Sequence, residues 1–217
     1  MTRLNTFQPV AFAAAVVVMS FLSVPSFAQP VAESPAATPA GTVTTFHRKS
    51  SGSLGTFDGP VVWTFTHATW EGRPAVIQMA RLGGSAFDPK THANMATLDA
   101  EGKATMVFDP PVGFQWPMQV GKAWTSKHTV TTPATGRSVP LEVNWKVEAW
   151  EDVTVPAGTY KAYKVVTTNN FGEVETRWTA PAAGIVLAKR LVTRPASHPQ
   201  GAGELEAVLL SQVPPAK

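Results

Sequence analysis

The sequence predicts an all-β protein: an antiparallel curved sheet, a half-barrel or sandwich of about 10–12 short strands, following an N-terminal signal helix. Three observations lead there. Leu141–Ala149 alternates apolar and polar residues without an error, placing five side chains on one strand face and four on the other. Hairpin signals recur: Val155-Pro156-Ala157-Gly158-Thr159 precedes Tyr160–Thr168, and Asn169-Asn170-Phe171-Gly172 precedes Glu173–Thr179. No later segment has a helical period. The best helix candidate, Asp88–Asn94, lacks both length and an apolar stripe.

The chain has 217 residues and no cysteine. Arg3, the apolar run Ala11–Leu22, the breaker Pro25 and Ser26-Phe27-Ala28 make residues 1–28 a signal peptide cleaved after Ala28. The run is shorter than the roughly 20 residues a span requires, so no stable membrane span is expected after cleavage. The expected location is the periplasm or the outside of the cell. Residues 29–41 carry Pro30, Pro35 and Pro39 without periodicity and read as a Pro/Ala-rich tether. Residues 42–213 form one β domain, and 214–217 form a tail. About 170 residues suffice for a single core without disulfides.

Within the domain, Thr42–Phe46 reads as a first strand and Val61–His67 as a second, with Val61, Trp63 and Phe65 on one face. Glu71-Gly72-Arg73-Pro74 turns the chain into Ala75–Leu82. Gly83–Asn94 reads as irregular. Met95–Leu98 and Lys103–Phe108 flank a second hairpin turn, and Asp109-Pro110-Pro111 is expected to stop that strand. A strand running to about Thr132, the long strand from Leu141, and strands over Tyr160–Thr168, Glu173–Thr179, Gly184–Thr193 and Glu204–Leu209 follow. Trp63, Phe65, Phe108, Trp124 and Trp145 fall at inward positions.

Composition narrows the chemistry. Without Arg3, 17 basic residues face 15 acidic ones, and they are scattered, so no nucleic-acid face is expected. The absence of cysteine excludes thiol catalysis and Cys-ligated zinc. The five histidines, His47, His67, His92, His128 and His198, show no metal-ligand spacing, and neither a Gly-x-Ser-x-Gly elbow nor a phosphate loop occurs. Glu142 and Glu148 share a strand face but lie roughly 20 Å apart, too far for a carboxylate pair. Reactive side chains therefore read as dispersed; no catalytic residue, metal or cofactor is expected.

Val120-Gly121-Lys122-Ala123-Trp124, the hairpin Glu151–Tyr160, the corner Trp178-x-x-Pro181-x-x-Gly184-x-Val186 and the closing Glu204-Leu205 resemble an exported bacterial β-rich domain family of unknown function. The likeness covers roughly Pro117–Leu210. It implies a periplasmic β-rich domain and, more distantly, a likeness to half-barrels that carry lipids or lipoproteins between membranes. The family brings no catalytic residues with it.

The candidate ligand-binding residues are Trp70, Trp116, Trp150, Trp178 and His67. The four tryptophans fall at turns or off the core phase, where exposed rings could line an apolar cleft, stack on sugars or close the sheet ends. His67 is in phase with Trp63 and Phe65 and reads as a hydrogen-bonded structural histidine or a ligand. Three functions stay open: a non-catalytic exported protein binding an apolar or lipid-like ligand in a curved sheet, a glycan-contacting envelope protein, and a hydrolase whose site assembles only in three dimensions around His67 or His128.

Overall fold

The computed structural model describes residues 30–215; the signal peptide expected at 1–28 and the end of the tail lie outside them. Twelve strands follow one another: β1 Val43–Gly52, β2 Phe57–Trp70, β3 Arg73–Ala80, β4 Gly83–Phe87, β5 Asn94–Leu98, β6 Ala104–Val112, β7 Ala123–Thr132, β8 Arg137–Val155, β9 Gly158–Asn169, β10 Val174–Ala180, β11 Ile185–Arg194 and β12 Gly203–Val213. Each pairs antiparallel with its sequence neighbour, and β1 pairs with β12, so the sheet closes into a barrel. The half-barrel or sandwich expected from sequence is thus corrected to a closed ring. The pairing that closes it joins Val43 to Val213 and Gly52 to Gly203. No local turn signal encodes so distant a contact.

Several elements differ from the expectation for physical reasons. Gly83–Phe87 is strand β4, not irregular chain. A Cβ on Gly84 would lie 2.1 Å from the Gln78 carbonyl oxygen, so the glycines permit close strand approach there and erase the alternation. Asp109-Pro110-Pro111 does not stop β6; a register shift between Asn94 and Ala96 of β5 accommodates it. The stretch 88–93 is a turn that leads into β5 at Asn94. The Asp88 carboxylate accepts from the Lys90 and Thr91 amides at 2.9 and 2.8 Å. Among the described residues the one helical segment is the single 3-10 turn Pro181–Ala183.

Residues 30–41 do not stand away from the domain. They lie along it as a strap: Tyr163 donates its hydroxyl to the Pro30 carbonyl, Ala32 bridges Met118, Ala36 is buried, and His67 Nε2 donates to the Thr38 carbonyl at 2.8 Å. These anchors sit on β2, the β6–β7 connection and β9, so the strap crosses from one side of the ring to the other.

Cross-strand partners share a face, and the register defines two interior rows. One runs Arg48, Ala207, Arg190, Arg177, Val165, Val147 over β1, β12, β11, β10, β9 and β8. The next runs Ser50, Leu205, Val192, Glu175, Thr167, Trp145, Trp124. The tip of the β8–β9 hairpin packs Val153 and Val155 against Ala188, Leu205 and Leu209, and the Ala157 amide donates to the Leu209 carbonyl at 3.1 Å. A second cluster joins Met118, Val143, Trp145, Val147, Tyr163 and Val165. The outer face carries the ion pairs Lys127–Glu142, Lys164–Glu148 and Lys189–Glu206, and the exposed pair Lys161–Asp152 lies near the tip of the β8–β9 hairpin. The solvated face expected for Glu142 and Glu148 is what the fold presents.

Trp145 is 4% exposed and stacks on Trp124 with ring centroids 5.3 Å apart. Trp145→Ala is expected to cost about 3–5 kcal/mol. That would lower the thermal midpoint by on the order of 10 °C in a domain of this size. An unchanged midpoint would place the ring outside the core.

Candidate functional site: the interior wall of the barrel

Two features of the interior can do chemistry or binding. The first is aromatic. Trp124 and Trp145 lie nearly parallel, 6° apart, and Phe114 meets Trp145 edge-on with centroids 5.6 Å apart. Trp145 Nε1–H donates to Ser126 Oγ at 2.9 Å, whereas the buried Trp124 Nε1–H has no acceptor. Trp124 and Phe114 are only half-buried although they pack on the buried Trp145.

The second is ionic. Arg177 stands two residues from Glu175 on β10 and clasps its carboxylate with two nitrogens, Nε to Oε1 and Nη2 to Oε2, the latter at 3.0 Å. Arg190, opposite Arg177, also donates its Nε to Glu175 Oε1. Arg48 completes the group from β1; its Nη2 donates to the Leu54 carbonyl at 2.8 Å and its Nε to Ser50 Oγ at 3.3 Å. Two guanidinium groups, those of Arg177 and Arg190, thus share one carboxylate, and the third stands in the same row without one. The Glu175 side chain is 10% exposed, while Arg177 and Arg190 keep 33% and 36% of their surface. Burial alone would raise the Glu175 pKa. The charges and hydrogen bonds of Arg177 and Arg190 outweigh it and hold the group at about 2. The Arg48 pKa is lowered, first by burial and then by the charge of Arg190. The expectation of dispersed ionisable groups is corrected here: the closed ring gathers residues that lie far apart in the chain.

A Ser–His pair also faces inward. His128 Nδ1 bonds the Pro110 carbonyl and its Nε2 bonds Ser126 Oγ, both at 2.7 Å. The carbonyl can only accept, so Nδ1 carries the proton and Nε2 accepts from the Ser126 hydroxyl. His92, between β4 and β5, stacks on Phe87, and its Nε2 is buried without a partner. Burial first, and Arg177 second, lower its pKa to about 4, so it is neutral at physiological pH. An open recess of about 370 Å³ lies between the strap and His67, Val76, Lys90 and His92. Among the described residues no three His, Asp or Glu side chains converge as metal ligands.

The residues singled out from sequence do not meet in one place. Trp116 and Trp150 border the cluster around Trp145 and Tyr163, Trp70 borders the one around Ala86 and Ala96, and Trp178 borders the one around Leu209. Trp116 Nε1–H donates to the Thr91 carbonyl at 2.9 Å, and Trp178 Nε1–H donates to Glu151 Oε1 at 2.7 Å with Lys189 over its ring. Trp150 tilts against Tyr163 at 4.5 Å. His67 is exposed and holds the strap. The interior arginines escaped sequence reading, although the signal was there: Arg48 is in phase with Thr44 and Phe46, and Arg177 with Glu175 and Thr179. A charged residue at an inward position of a strand marks a paired or ligand-facing group.

Because the Glu175 pKa lies below its ordinary value of 4.5, its contribution to stability is complete above pH 4.5 and is lost as pH falls toward 2. Glu175→Gln leaves the guanidinium groups of Arg177 and Arg190 without their carboxylate and is expected to cost about 3–5 kcal/mol at pH 7. In denaturant titrations, the gap between wild type and variant should narrow from pH 5 to pH 2. A gap independent of pH would show that Glu175 is not held ionised.

No family model matches the chain, and no curated protein matches it. Among solved structures, a Bacteroides fragilis protein taken to be exported, with a YmcC-like fold, is similar at a TM-score of 0.48 and 12% identity, over 83% of this chain and 99% of its own. The hypothetical lipoprotein YmcC of Escherichia coli is similar at a TM-score of 0.44 and 13% identity, over 82% of this chain and 87% of its own.

Proposed function

We propose that this chain is a non-catalytic, exported protein of the bacterial envelope, periplasmic or secreted, that binds a lipid-like ligand inside its barrel. The observation that carries this reading is the aromatic group of Phe114, Trp124 and Trp145, in which the inward-facing Trp124 and the adjoining Phe114 are only half-buried. Eight strands already make a ring that side chains can fill. A ring of twelve is wider, and here the hairpin tip and the strap help to occupy it. The ion pairs on the outer face favour a barrel bathed in water over one lying in lipid, where outward charges are costly.

The Ser126–His128 bond favours a second reading, acyl hydrolysis. Two features weigh against it. Ser126 Oγ already accepts from Trp145 Nε1–H, and an imidazolium at His128 would face the neutral Pro110 carbonyl instead of a carboxylate.

Native mass spectrometry of freshly purified protein is expected to show adducts in the mass range of fatty acids or phospholipids, released by organic extraction. A clean apo mass, together with no quenching of tryptophan fluorescence by added fatty acid, would refute the binding reading. Cleavage of acyl esters that disappears in Ser126→Ala would replace it with the hydrolytic one.

A further inference from the structure

We propose that Arg48, Arg177 and Arg190 form an oxyanion site on the interior wall, taking a carboxylate or phosphate group. The placement of the ligand rests on the lumen-binding reading above; the chemistry of the site does not. Its basis is an imbalance. Glu175 spends Oε1 on Arg177 and Arg190 and Oε2 on Arg177, so its acceptor capacity toward the cluster is already engaged. Arg48 has no carboxylate at all; its partners are a hydroxyl and a carbonyl. Arg190 uses its Nε alone, although a guanidinium carries five N–H donors in a planar fork. The group therefore holds two positive charges in excess, with unspent donors directed along one face of the sheet.

Charges without partners are costly to bury, and proteins ordinarily pair them. A merely structural cluster would be served by one arginine per carboxylate, the arrangement the neighbouring Arg194–Glu173 pair shows. Here two further guanidinium groups are brought beside a pair that is already complete. Arg177 and Arg190 keep about a third of their side-chain surface uncovered, which leaves room for a further partner beside Glu175. Planar guanidinium forks match the oxygens of carboxylates and phosphates, which makes this arrangement suited to the headgroup of an anionic amphiphile or to a free oxyanion. Phe114 lies under Arg177, 6.0 Å from the guanidinium carbon to the ring centroid, so the ionic and aromatic parts of the wall are contiguous.

Arg48 is the residue to change, because it is not a partner of Glu175. Isothermal titration of the full mature chain with inorganic phosphate, oleate and oleyl alcohol, at constant ionic strength set with sodium chloride, supplies the readout. Wild type is expected to bind oleate in preference to oleyl alcohol. Arg48→Gln should bind oleate or phosphate at least tenfold more weakly, with a thermal midpoint equal to or above that of wild type, because a repulsion has been removed. Arg48→Lys keeps the charge without the fork and should fall between them; it also decides the matter should Arg48→Gln fail to fold. Oleate far tighter than phosphate identifies a lipid headgroup as the source, and phosphate as tight as oleate identifies a free oxyanion. Unchanged oleate affinity in both variants, or equal binding of oleate and oleyl alcohol to wild type, overturns the oxyanion site and leaves the lipid reading standing. Phosphate binding that depends on Arg48, without any oleate binding, leaves the site standing and removes the lipid reading. Absence of binding by all three probes overturns both.

Discussion

Closure of the ring through β1 and β12 is the constraint from which the remaining features follow. A strand at an open edge can turn its unpaired backbone and either face toward water. In a ring no edge is left, and every strand must commit one face to a shared interior. With twelve strands that interior is too wide to fill with the inward side chains of a single layer. The chain supplies further filling from its own length. β8 and β9 are longer than most of the other strands, and their tip reaches Leu209 of β12, a strand three positions from β9 around the ring. The segment before β1 crosses to Tyr163. Both are departures from simple up-and-down pairing, and both place chain where a narrow barrel would need none.

Closure also creates the ionic cluster. Arg48 and Arg177 are far apart in sequence, yet they stand in one interior row with Ala207 and Arg190 between them. In an open sheet ending at β1, Arg48 would lie at the far margin from β10 and could swing into solvent. In the ring it cannot, and its charge acts on that of Arg190. Glu175 answers part of that charge, and the energy of the pairing is visible in how strongly its proton affinity is depressed despite burial. Stability and excess charge thus come from the same geometry: the carboxylate pins β10 to β11, and the unanswered guanidinium is the residue of that arrangement.

Much of the local architecture was legible in the sequence. The unbroken alternation of Leu141–Ala149 gave the middle of β8, and Val155-Pro156-Ala157-Gly158 gave the turn that follows it. Phe65 and Trp145 are buried where the period of two placed them. What stayed hidden depends on contacts distant in sequence. The glycines of β4 carry no side chains to show a phase, yet they are strand because close backbone approach requires them. Pro110 and Pro111 lie within β6 because a register shift lets the ladder go around them. The strap has no periodicity since its order comes from Tyr163, Met118 and His67, none of them nearby in the chain. The tryptophans without a core phase are half-buried and border three separate clusters, whose members come from distant parts of the chain.

The interior rows also order the features along the barrel. Thr179 and Tyr163 stand opposite each other, Arg177 and Val165 form the next row, and Glu175 and Thr167 the one after. The strap, fixed to Tyr163, therefore crosses the barrel one row from Arg177. His92 lies near enough to that arginine for its proton affinity to be lowered by it, and it borders the recess beneath the strap. The strap's anchor at Tyr163, the Arg177 guanidinium and the Glu175 carboxylate thus stand on successive levels of one interior wall. A side chain changed at any of these levels acts on its neighbours through the filling between them. This is why the functional reading rests on how the interior is filled, not on any single residue exposed on the outside.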